Sequence, residues 1–279
     1  MTKNNRNIFQ SIKKDIFKGF KRIFWFSYTR LKYHYFSLRF FLRRKNISKF
    51  KISILLPTRE RSKKFQRMLN SLIDTCSDLN RIEILLLIDE DDKESENYRN
   101  IIKDKIYNSI SFKLFEKSLE THAIRNNFLA TQKTGEIIFP INDDMIFVSK
   151  KWDEIIDEEF SKLDNENPYC LWISSDIKYS YLHSDYPIIN QAWYKRLGYV
   201  GSEYFNFWYL DTWICDLSLR SGKFLVTPKI KVDQLSANKL DKEIDETHLR
   251  NINSDKPNKD LKIWNNTIVE RKKESLKLM

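Results

Sequence analysis

Glycine is scarce in this chain, which has five among 279 residues: Gly19, Gly135, Gly198, Gly201 and Gly222. Glycines placed in this way form neither a G-x-G-x-x-G dinucleotide fingerprint nor a Walker phosphate-binding loop. A G-x-S-x-G nucleophile elbow is absent as well. The sequence therefore argues against a dinucleotide-dependent oxidoreductase, a P-loop NTPase and a serine hydrolase of the elbow type.

Cysteine is rarer still. Cys76, Cys170 and Cys215 lie far apart and lack metal-ligand spacing, so they indicate neither a disulfide framework nor a zinc site. This usage is typical of a reducing compartment, and we expect a cytoplasmic protein. Hydrophobic residues make up 41% of the chain and aromatic residues 14%, which is enough for one sizeable core and argues against disorder of the body.

Positive charge is concentrated at the amino terminus. Residues 1–50 contain 14 Lys or Arg and one acid, Asp15, so their net charge is +13, whereas the whole chain carries +11. Residues 8–45 lack proline, contain one glycine and repeat apolar residues at steps of three or four, which predicts a helix. We interpret residues 1–50 as a basic, aromatic-rich helical arm.

Three interpretations of this arm stay open. It contains no uncharged run of the roughly 20 apolar residues that span a bilayer. The favoured interpretation is a helix lying on an anionic membrane, peripheral on its inner face, because each nearby Lys or Arg adds about 1 kcal/mol. The second is packing on the body or on another subunit. RNA binding is the third, and DNA binding is not expected because no nucleic-acid module is recognisable.

From residue 51 onward, short apolar runs alternate with helical patterns. Strands are predicted at 51–57, 81–88, 111–115 and 136–139, with helices at 63–75, 94–108 and 121–133. This alternation predicts an α/β fold with a mainly parallel sheet flanked by helices. Ligands bind beyond the carboxyl ends of such strands. We therefore expect three polar clusters to meet at one edge of the sheet: residues 58–61, 89–92 and 142–144.

Asp143 and Asp144 directly follow the last of these apolar runs. Carboxylates at a strand end suit Mg²⁺ or Mn²⁺, which prefer oxygen ligands and share their coordination with substrate phosphates. The alternative for an Asn-Asp pair is a turn or a helix N-cap. The strand context and the neighbouring polar clusters favour the metal site.

At this point the sequence from residue 52 to 144 resembles the nucleotide-binding half of family 2 glycosyltransferases, which have the GT-A fold. The resemblance is carried by "ISILLPTRER", "IEILLLIDEDD", "HAIRNNFLATQKTGEIIF" and the acidic "NDD". It implies a nucleotide-sugar donor. It also implies a set of nucleotide-binding residues at the strand ends and in the "RNN" element: Pro57, Thr58, Arg59, Arg61, Asp89, Arg125, Asn126, Asn142 and Asp143.

The chain departs from the family's usual Asp-x-Asp motif, because Asn142 stands at its first position. By resemblance, Asp144 is therefore the first choice as ligand of a Mn²⁺ or Mg²⁺ cofactor and Asp143 the second. Family members often place a metal-binding His after the last core strand, which we predict at 226–232. Gln234 occupies that position here, and His248 is an alternative if the tail folds back.

The later half resembles the family's acceptor side, where an acidic residue opens a helix that ends in glycine. Inverting transfer needs a general base that takes the proton of the acceptor hydroxyl. Asp211 is the candidate, with the N-cap of a helix over 212–220 as its other interpretation, and Asp216 is the runner-up. Nearby aromatic residues predict either sugar stacking or a buried cluster: Tyr204, Phe205, Phe207, Trp208, Tyr209 and Trp213.

These patterns divide the chain into the arm (1–50), a GT-A-like domain (51–237) and a charged tail (238–279) with a helix near 260–275. The expected function is sugar transfer to a glycan or lipid-linked acceptor hydroxyl, in surface glycan or glycolipid synthesis. A nucleotidyltransferase of similar topology is one alternative, although the loop after the first strand has no glycine. The other is a membrane- or RNA-binding adaptor with a degenerate body, which Asn142 and Gln234 favour.

Overall fold

The computed structural model of the chain describes residues 3–43, 47–174, 183–206, 208–234 and 256–279. Phe207, His248 and the predicted tail as far as residue 255 lie outside these ranges. The helices are α1 (Lys3–Arg43), α2 (Ser62–Thr75), α3 (Ser95–Ile102), α4 (His122–Thr131), α5 (Trp152–Ser161), α6 (Gln191–Leu197), α7 (Leu210–Ser221), α8 (Lys256–Asn266) and α9 (Ile268–Lys277). The strands are β1 (Ile52–Pro57), β2 (Ile82–Ile88), β3 (Ser111–Glu116), β4 (Ile137–Pro140), β5 (Met145–Phe147), β6 (Cys170–Ser174), β7 (Ile188–Asn190) and β8 (Phe224–Gln234).

The described strands form one mixed sheet in the order β3-β2-β1-β4-β7-β6-β8-β5. Strand β1 pairs in parallel with β2 and β4, β2 with β3, and β6 with β8. The three remaining pairings, β4 with β7, β6 with β7 and β5 with β8, are antiparallel. The predicted α/β fold with helices flanking the sheet is confirmed.

The strands that carry the polar clusters are apolar on both faces because both faces are covered. Along β1, Ile54 and Leu56 enter one core and Leu55 enters the other, as the alternation of side chains in a strand requires. Helix α2 covers the first face with its apolar side, which includes Phe65. Helix α4 covers the second with Leu129. Strand ends are thereby the positions where polar side chains reach solvent.

Two predicted helices have different bounds in the structure. The helix predicted over 94–108 ends at Ile102, because the Asp104 carboxylate accepts the backbone N–H of Ile106 at 3.1 Å and turns the chain into a separate 3₁₀ turn. The helix predicted near 260–275 is two helices, α8 and α9, with Thr267 between them. Periodicity locates the apolar faces of such segments but does not mark where a polar side chain interrupts them.

The arm is a helix, as predicted, and its later half packs on the body. Thr29 is buried, and the rings of Tyr28 and Phe224 lie 6.3 Å apart at the start of β8. Lys32 donates a hydrogen bond to the Gly222 carbonyl, and its Nζ lies 4.1 Å from the centre of the Phe224 ring. The structure therefore has the contact with the body that the second interpretation expected. Among the described helices, none is long and apolar enough to cross a membrane.

Candidate active site

The three polar clusters meet at the carboxyl ends of β1, β2 and β4, as expected from their parallel pairing. Thr58 Oγ1 donates to Asp143 Oδ2 at 2.5 Å, and Arg61 Nη1 donates to Asp143 Oδ1 at 3.1 Å. Thr58 follows β1 and Asp143 follows β4, so these bonds join neighbouring strand ends. The tight turn after β1 is held in place by Asp92, whose carboxylate accepts the backbone N–H of Glu60 at 2.9 Å.

Asp89, at the end of β2, forms ion pairs with two arginines. Arg59 Nη1 is 2.5 Å from Asp89 Oδ2, and Arg125 Nη2 is 2.6 Å from Asp89 Oδ1. The second guanidinium nitrogen of Arg59 also contacts Asp91 at 2.8 Å. Asp89 is buried, whereas both arginines are partly exposed. This cluster places two guanidinium groups at the carboxyl edge of the sheet. Planar guanidinium groups donate paired hydrogen bonds of the kind that bind phosphate oxygens.

Three of the other predicted nucleotide-binding residues have structural contacts of their own. Pro57 ends β1 in register with Leu87, so it shapes the turn that presents Thr58. Asn126 is fully buried on α4, where its Nδ2 donates to the His122 carbonyl at 3.0 Å. Asn142 is half-buried, and its backbone carbonyl accepts from Met145 at 3.2 Å.

The acidic motif is buried. Burial raises the pKa of Asp143, although Arg61 and Thr58 oppose the rise. Burial and the charge of Asp143 raise the pKa of Asp144 to about 6. Asp144 Oδ1 is a buried oxygen with no hydrogen-bond donor in the part of the chain that the structure describes. Two adjacent carboxylates in such an environment would be stabilised by a bound cation.

Strand β8 brings its last residue beside this motif. In the antiparallel pairing of β5 with β8, Gln234 lies in register with Met145, directly after Asp144. The resemblance placed Gln234 at the position of a metal-binding His after a strand over 226–232. The observed strand is longer, Phe224–Gln234, so Gln234 is its last residue. Its backbone therefore lies at the acidic motif.

Asp211 lies in the first turn of α7 and contacts His183. The interpretation of Asp211 as an N-cap is wrong, because α7 begins at Leu210 and Tyr209, with a φ of 71°, precedes it. The Asp211 carboxylate accepts the backbone N–H of Thr212 at 2.7 Å, and its other oxygen lies 3.1 Å from His183 Nε2. Burial lowers the pKa of His183, but the hydrogen bonds to Asp211 and Cys215 and the charges of both groups together outweigh it and raise the pKa to about 11.

Asp216 is bound in a different way. Arg220 Nε donates to Asp216 Oδ2 at 2.6 Å and Arg271 Nε donates to the same oxygen at 2.8 Å. Arg271 belongs to α9, so this carboxylate fastens the carboxyl-terminal helix to α7. Asp216 therefore has a structural role in ion pairs with two guanidinium groups.

Tyr186 lies near both Asp144 of the acidic motif and Asp211. Burial is the main cause that raises the pKa of Tyr186 well above its ordinary value. The charges of Asp144 and Asp211 raise it further. The Tyr186 hydroxyl is buried and has no hydrogen-bond partner among the described residues. The charges of Asp144 and Asp211 both act on Tyr186, which therefore lies near each of them.

Sequence reasoning assigned no role to His183 or Tyr186. Both lie between β6 and β7, where neither periodicity nor a motif marks them. The only signal available was the high density of tyrosine and histidine in this segment.

The aromatic residues near Asp211 divide between the two predicted roles. Phe205 and Trp213 are buried and belong to the core, whereas Tyr204 and Trp208 are 56% and 45% exposed. Tyr209 stacks on Phe205, with ring centres 5.4 Å apart, and on Trp264 of α8 at 5.3 Å. The buried cluster is thus real, and Tyr204 and Trp208 are the members whose exposed faces suit a sugar ring.

The acidic motif fits a divalent cation on its donor chemistry. No group of three or more His, Cys, Asp or Glu side chains is placed to hold a metal within the described ranges. Mg²⁺ is commonly held by one or two carboxylates while substrate phosphates and water complete its shell. Asp143 and Asp144 supply that number of carboxylates, and the unpartnered Asp144 Oδ1 supplies an oxygen with a free lone pair.

Comparisons with known proteins find similarity of fold alone. No family model matches the sequence, and no curated protein matches it. The fold is similar to that of the mannosyltransferase PcManGT from Pyrobaculum calidifontis, solved in complex with GDP-Man and Mn²⁺, with a TM-score of 0.56 at 11% identity over 77% of this chain. It is also similar to TarS from S. aureus, with a TM-score of 0.50 at 15% identity over 75% of this chain.

These likenesses establish a shared fold. The chain spans 66% of the length of the PcManGT chain and 71% of that of the TarS chain. The mixed α/β sheet flanked by helices is therefore an architecture found among solved glycosyltransferases.

Proposed function

We propose that the protein is a metal-dependent glycosyltransferase that moves a sugar from a nucleotide-diphosphate sugar to an acceptor hydroxyl. The observation that carries the proposal is the strand edge where Thr58 and Arg61 hold the Asp143 carboxylate and Asp89 holds Arg59 and Arg125. A donor diphosphate needs cationic partners, which this edge supplies. An acceptor hydroxyl needs a base, for which Asp211, paired with His183, is the candidate. The likeness to PcManGT, solved with GDP-Man and Mn²⁺, supports the same assignment.

On the donor side, Asp144 and Asp143 would hold Mn²⁺ or Mg²⁺, which when bound supplies positive charge to the diphosphate leaving group. Thr58 and Arg61 hold Asp143 in place through hydrogen bonds to both its oxygens. Arg59 and Arg125 are placed to contact the nucleotide or its phosphates, with Asp89 fixing both guanidinium groups. Asn142 stands where the Asp-x-Asp pattern has its first acid, so the two carboxylates of this motif are adjacent in sequence instead of separated by one residue.

On the acceptor side, Asp211 is proposed as the general base. The acceptor oxygen attacks the anomeric carbon while the bond from that carbon to the diphosphate oxygen breaks, and the hydroxyl proton passes to the Asp211 carboxylate. Such a single displacement inverts the anomeric configuration. His183 holds one Asp211 oxygen by a hydrogen bond and the Thr212 N–H holds the other, so the carboxylate has a fixed orientation. A positioned base of this kind contributes about 10² to 10⁴ in rate.

Calorimetric titration with UDP and GDP tests the donor site. We expect binding that strengthens when Mn²⁺ is added and weakens when EDTA removes it, because the cation joins the acidic motif to the diphosphate. Asp144→Asn keeps the shape of the side chain and removes its charge, so it should abolish the metal-dependent part of the affinity.

Glu90→Gln is the matched control, because it also removes one carboxylate, exposed in the loop after β2 and outside the acidic motif. It should leave the metal-dependent affinity unchanged. Equal affinity for UDP and GDP with and without metal would contradict the assignment of Asp143 and Asp144 as metal ligands.

A further inference from the structure

Helix α1 carries an apolar stripe that is exposed over most of its length, although the ring of Tyr28 at its margin also approaches Phe224 of the body. Its members recur at alternating steps of four and three residues, which places them along one side of the helix. All are at least 40% exposed, and several exceed 55%: Phe24, Tyr28, Leu31, Tyr35, Leu38 and Leu42. The stripe runs from residue 24 to 42, a length of about 27 Å at 1.5 Å per residue.

The opposite face of the same helix already has its partners. Thr29 is buried, Phe36 packs against the first core, and Lys162 Nζ lies 5.4 Å from the centre of the Tyr33 ring. These residues lie on the other side of the helix from the stripe. Packing on the body therefore accounts for one face of α1 and leaves a continuous apolar surface on the other, which marks an interaction site.

We propose that this stripe binds the surface of an anionic lipid membrane, with the helix lying along the interface. The charge around the stripe favours this partner, because residues 1–50 carry a net charge of +13. Arg39, which is exposed, lies one turn beyond Tyr35 and so borders the stripe, and the exposed Arg30 adds charge to the same helix. Apolar and aromatic side chains flanked by Lys and Arg are the composition of helices that lie in the headgroup region.

A second copy of the chain is the competing occupant, since spacing of four and three also suits helix pairing. Charge argues against it. Two arms side by side would bring two surfaces of +13 together, whereas an anionic membrane attracts the same charge. The binding surface and the candidate active site are also separate, because α1 contacts β8 at Phe224, the end of that strand opposite to Gln234.

Co-sedimentation of the full chain with lipid vesicles tests the proposal. We expect binding to vesicles of equal parts phosphatidylglycerol and phosphatidylcholine and little binding to pure phosphatidylcholine. Raising the salt should weaken binding, because surface attraction is screened over about 10 Å at 0.1 M ionic strength. Arg30→Gln combined with Arg39→Gln should reduce the partition coefficient roughly 30-fold, at about fivefold for each charge.

Leu31→Ser combined with Leu38→Ser removes apolar area from the stripe and should reduce binding on the order of 100-fold. The control is Ile106→Ser combined with Val269→Ser, which removes two equally exposed apolar side chains elsewhere. That pair should bind vesicles like the unmodified protein. Circular dichroism and thermal melting establish that both variants are folded.

Two results would overturn the proposal. One is equal binding of the unmodified chain to neutral and anionic vesicles, or no binding to either at low salt. The other is a dimer in light scattering that Leu31→Ser with Leu38→Ser converts to a monomer, which would assign the stripe to a second copy of the chain.

Discussion

Asp211 and Asp216 are five positions apart on α7, yet their surroundings give them different chemistry. Asp216 Oδ2 accepts hydrogen bonds from two arginines, whereas Asp211 contacts one histidine and lies near Tyr186. Both acids are candidate bases from the sequence, because Asp211 precedes the predicted helix over 212–220 and Asp216 lies within it. It could not separate them, because Arg271 lies 55 residues beyond Asp216 and its contact depends on tertiary structure.

Asp211→Asn keeps the shape of the side chain and removes its basicity. We expect sugar transfer to fall by about 10² to 10⁴, the usual contribution of a positioned base. Nucleotide affinity should change little, because Asp211 is proposed on the acceptor side. The melting temperature should fall somewhat, because the ion pair with His183 weakens while the amide oxygen still accepts the Thr212 N–H. Transfer and binding are to be measured on the same preparation.

Asp216→Asn is the control on the same helix. It should lower the melting temperature, because it weakens the ion pairs with Arg220 and Arg271, and it should retain most of the transfer activity. The reverse pattern, with transfer lost in Asp216→Asn and kept in Asp211→Asn, would assign the base to Asp216.

Among the elements, those predicted correctly share a simple cause. Strands β1, β2 and β4 are mostly apolar because helices cover both faces of the sheet, so composition marks them. Their polar members Ser53 and Glu83 are buried and hydrogen-bonded to each other. Strands β5 and β7 are three residues long and are defined by their partners, so no window of sequence reveals them. The nucleotide side of the candidate site follows long strands and was predictable. His183 and Tyr186 lie in a connection and were not.

The buried Arg271 is one of the residues that hold the carboxyl-terminal helices on the body, beside Asp260, whose carboxylate accepts the backbone N–H groups of Asn206 and Trp208. Arg271 is 4% exposed and donates to Asp216 and to the Trp264 carbonyl at 2.6 Å, while its guanidinium lies 3.7 Å from the centre of the Trp264 ring. Arg271→Gln should lower the free energy of unfolding by roughly 1.5–3 kcal/mol, the range for hydrogen bonds to charged groups. Urea denaturation followed by tryptophan fluorescence measures the change.

Lys272→Gln removes the same charge from the next residue, which is exposed. It should leave the free energy of unfolding almost unchanged, because surface substitutions rarely exceed 0.5 kcal/mol in either direction, a rough general limit. Equal losses in both variants would show that net charge, and not the contact with Asp216, sets the stability of these helices.

In the whole molecule, the two proposed binding surfaces lie at opposite ends of the sheet. The carboxyl ends of β1, β2 and β4 carry the nucleotide side of the candidate site, and the amino end of β8 contacts α1 with its exposed stripe. Charge is divided between the same two parts of the chain, because residues 1–50 carry a net charge of +13 and the remaining residues carry −2. Which face of α1 meets the body could not be read from a helix with aromatic residues on every side.

Release of sugar from a panel of UDP- and GDP-linked hexoses, measured with Mn²⁺, with Mg²⁺ and with EDTA, tests the central claim most directly. The proposed function requires at least one donor to be hydrolysed or transferred in the presence of metal, with EDTA and Asp144→Asn each removing the activity. Glu90→Gln should retain it. Turnover that is equal with Mn²⁺ and with EDTA, or that persists in Asp144→Asn, would contradict a metal-dependent glycosyltransferase site at the acidic motif.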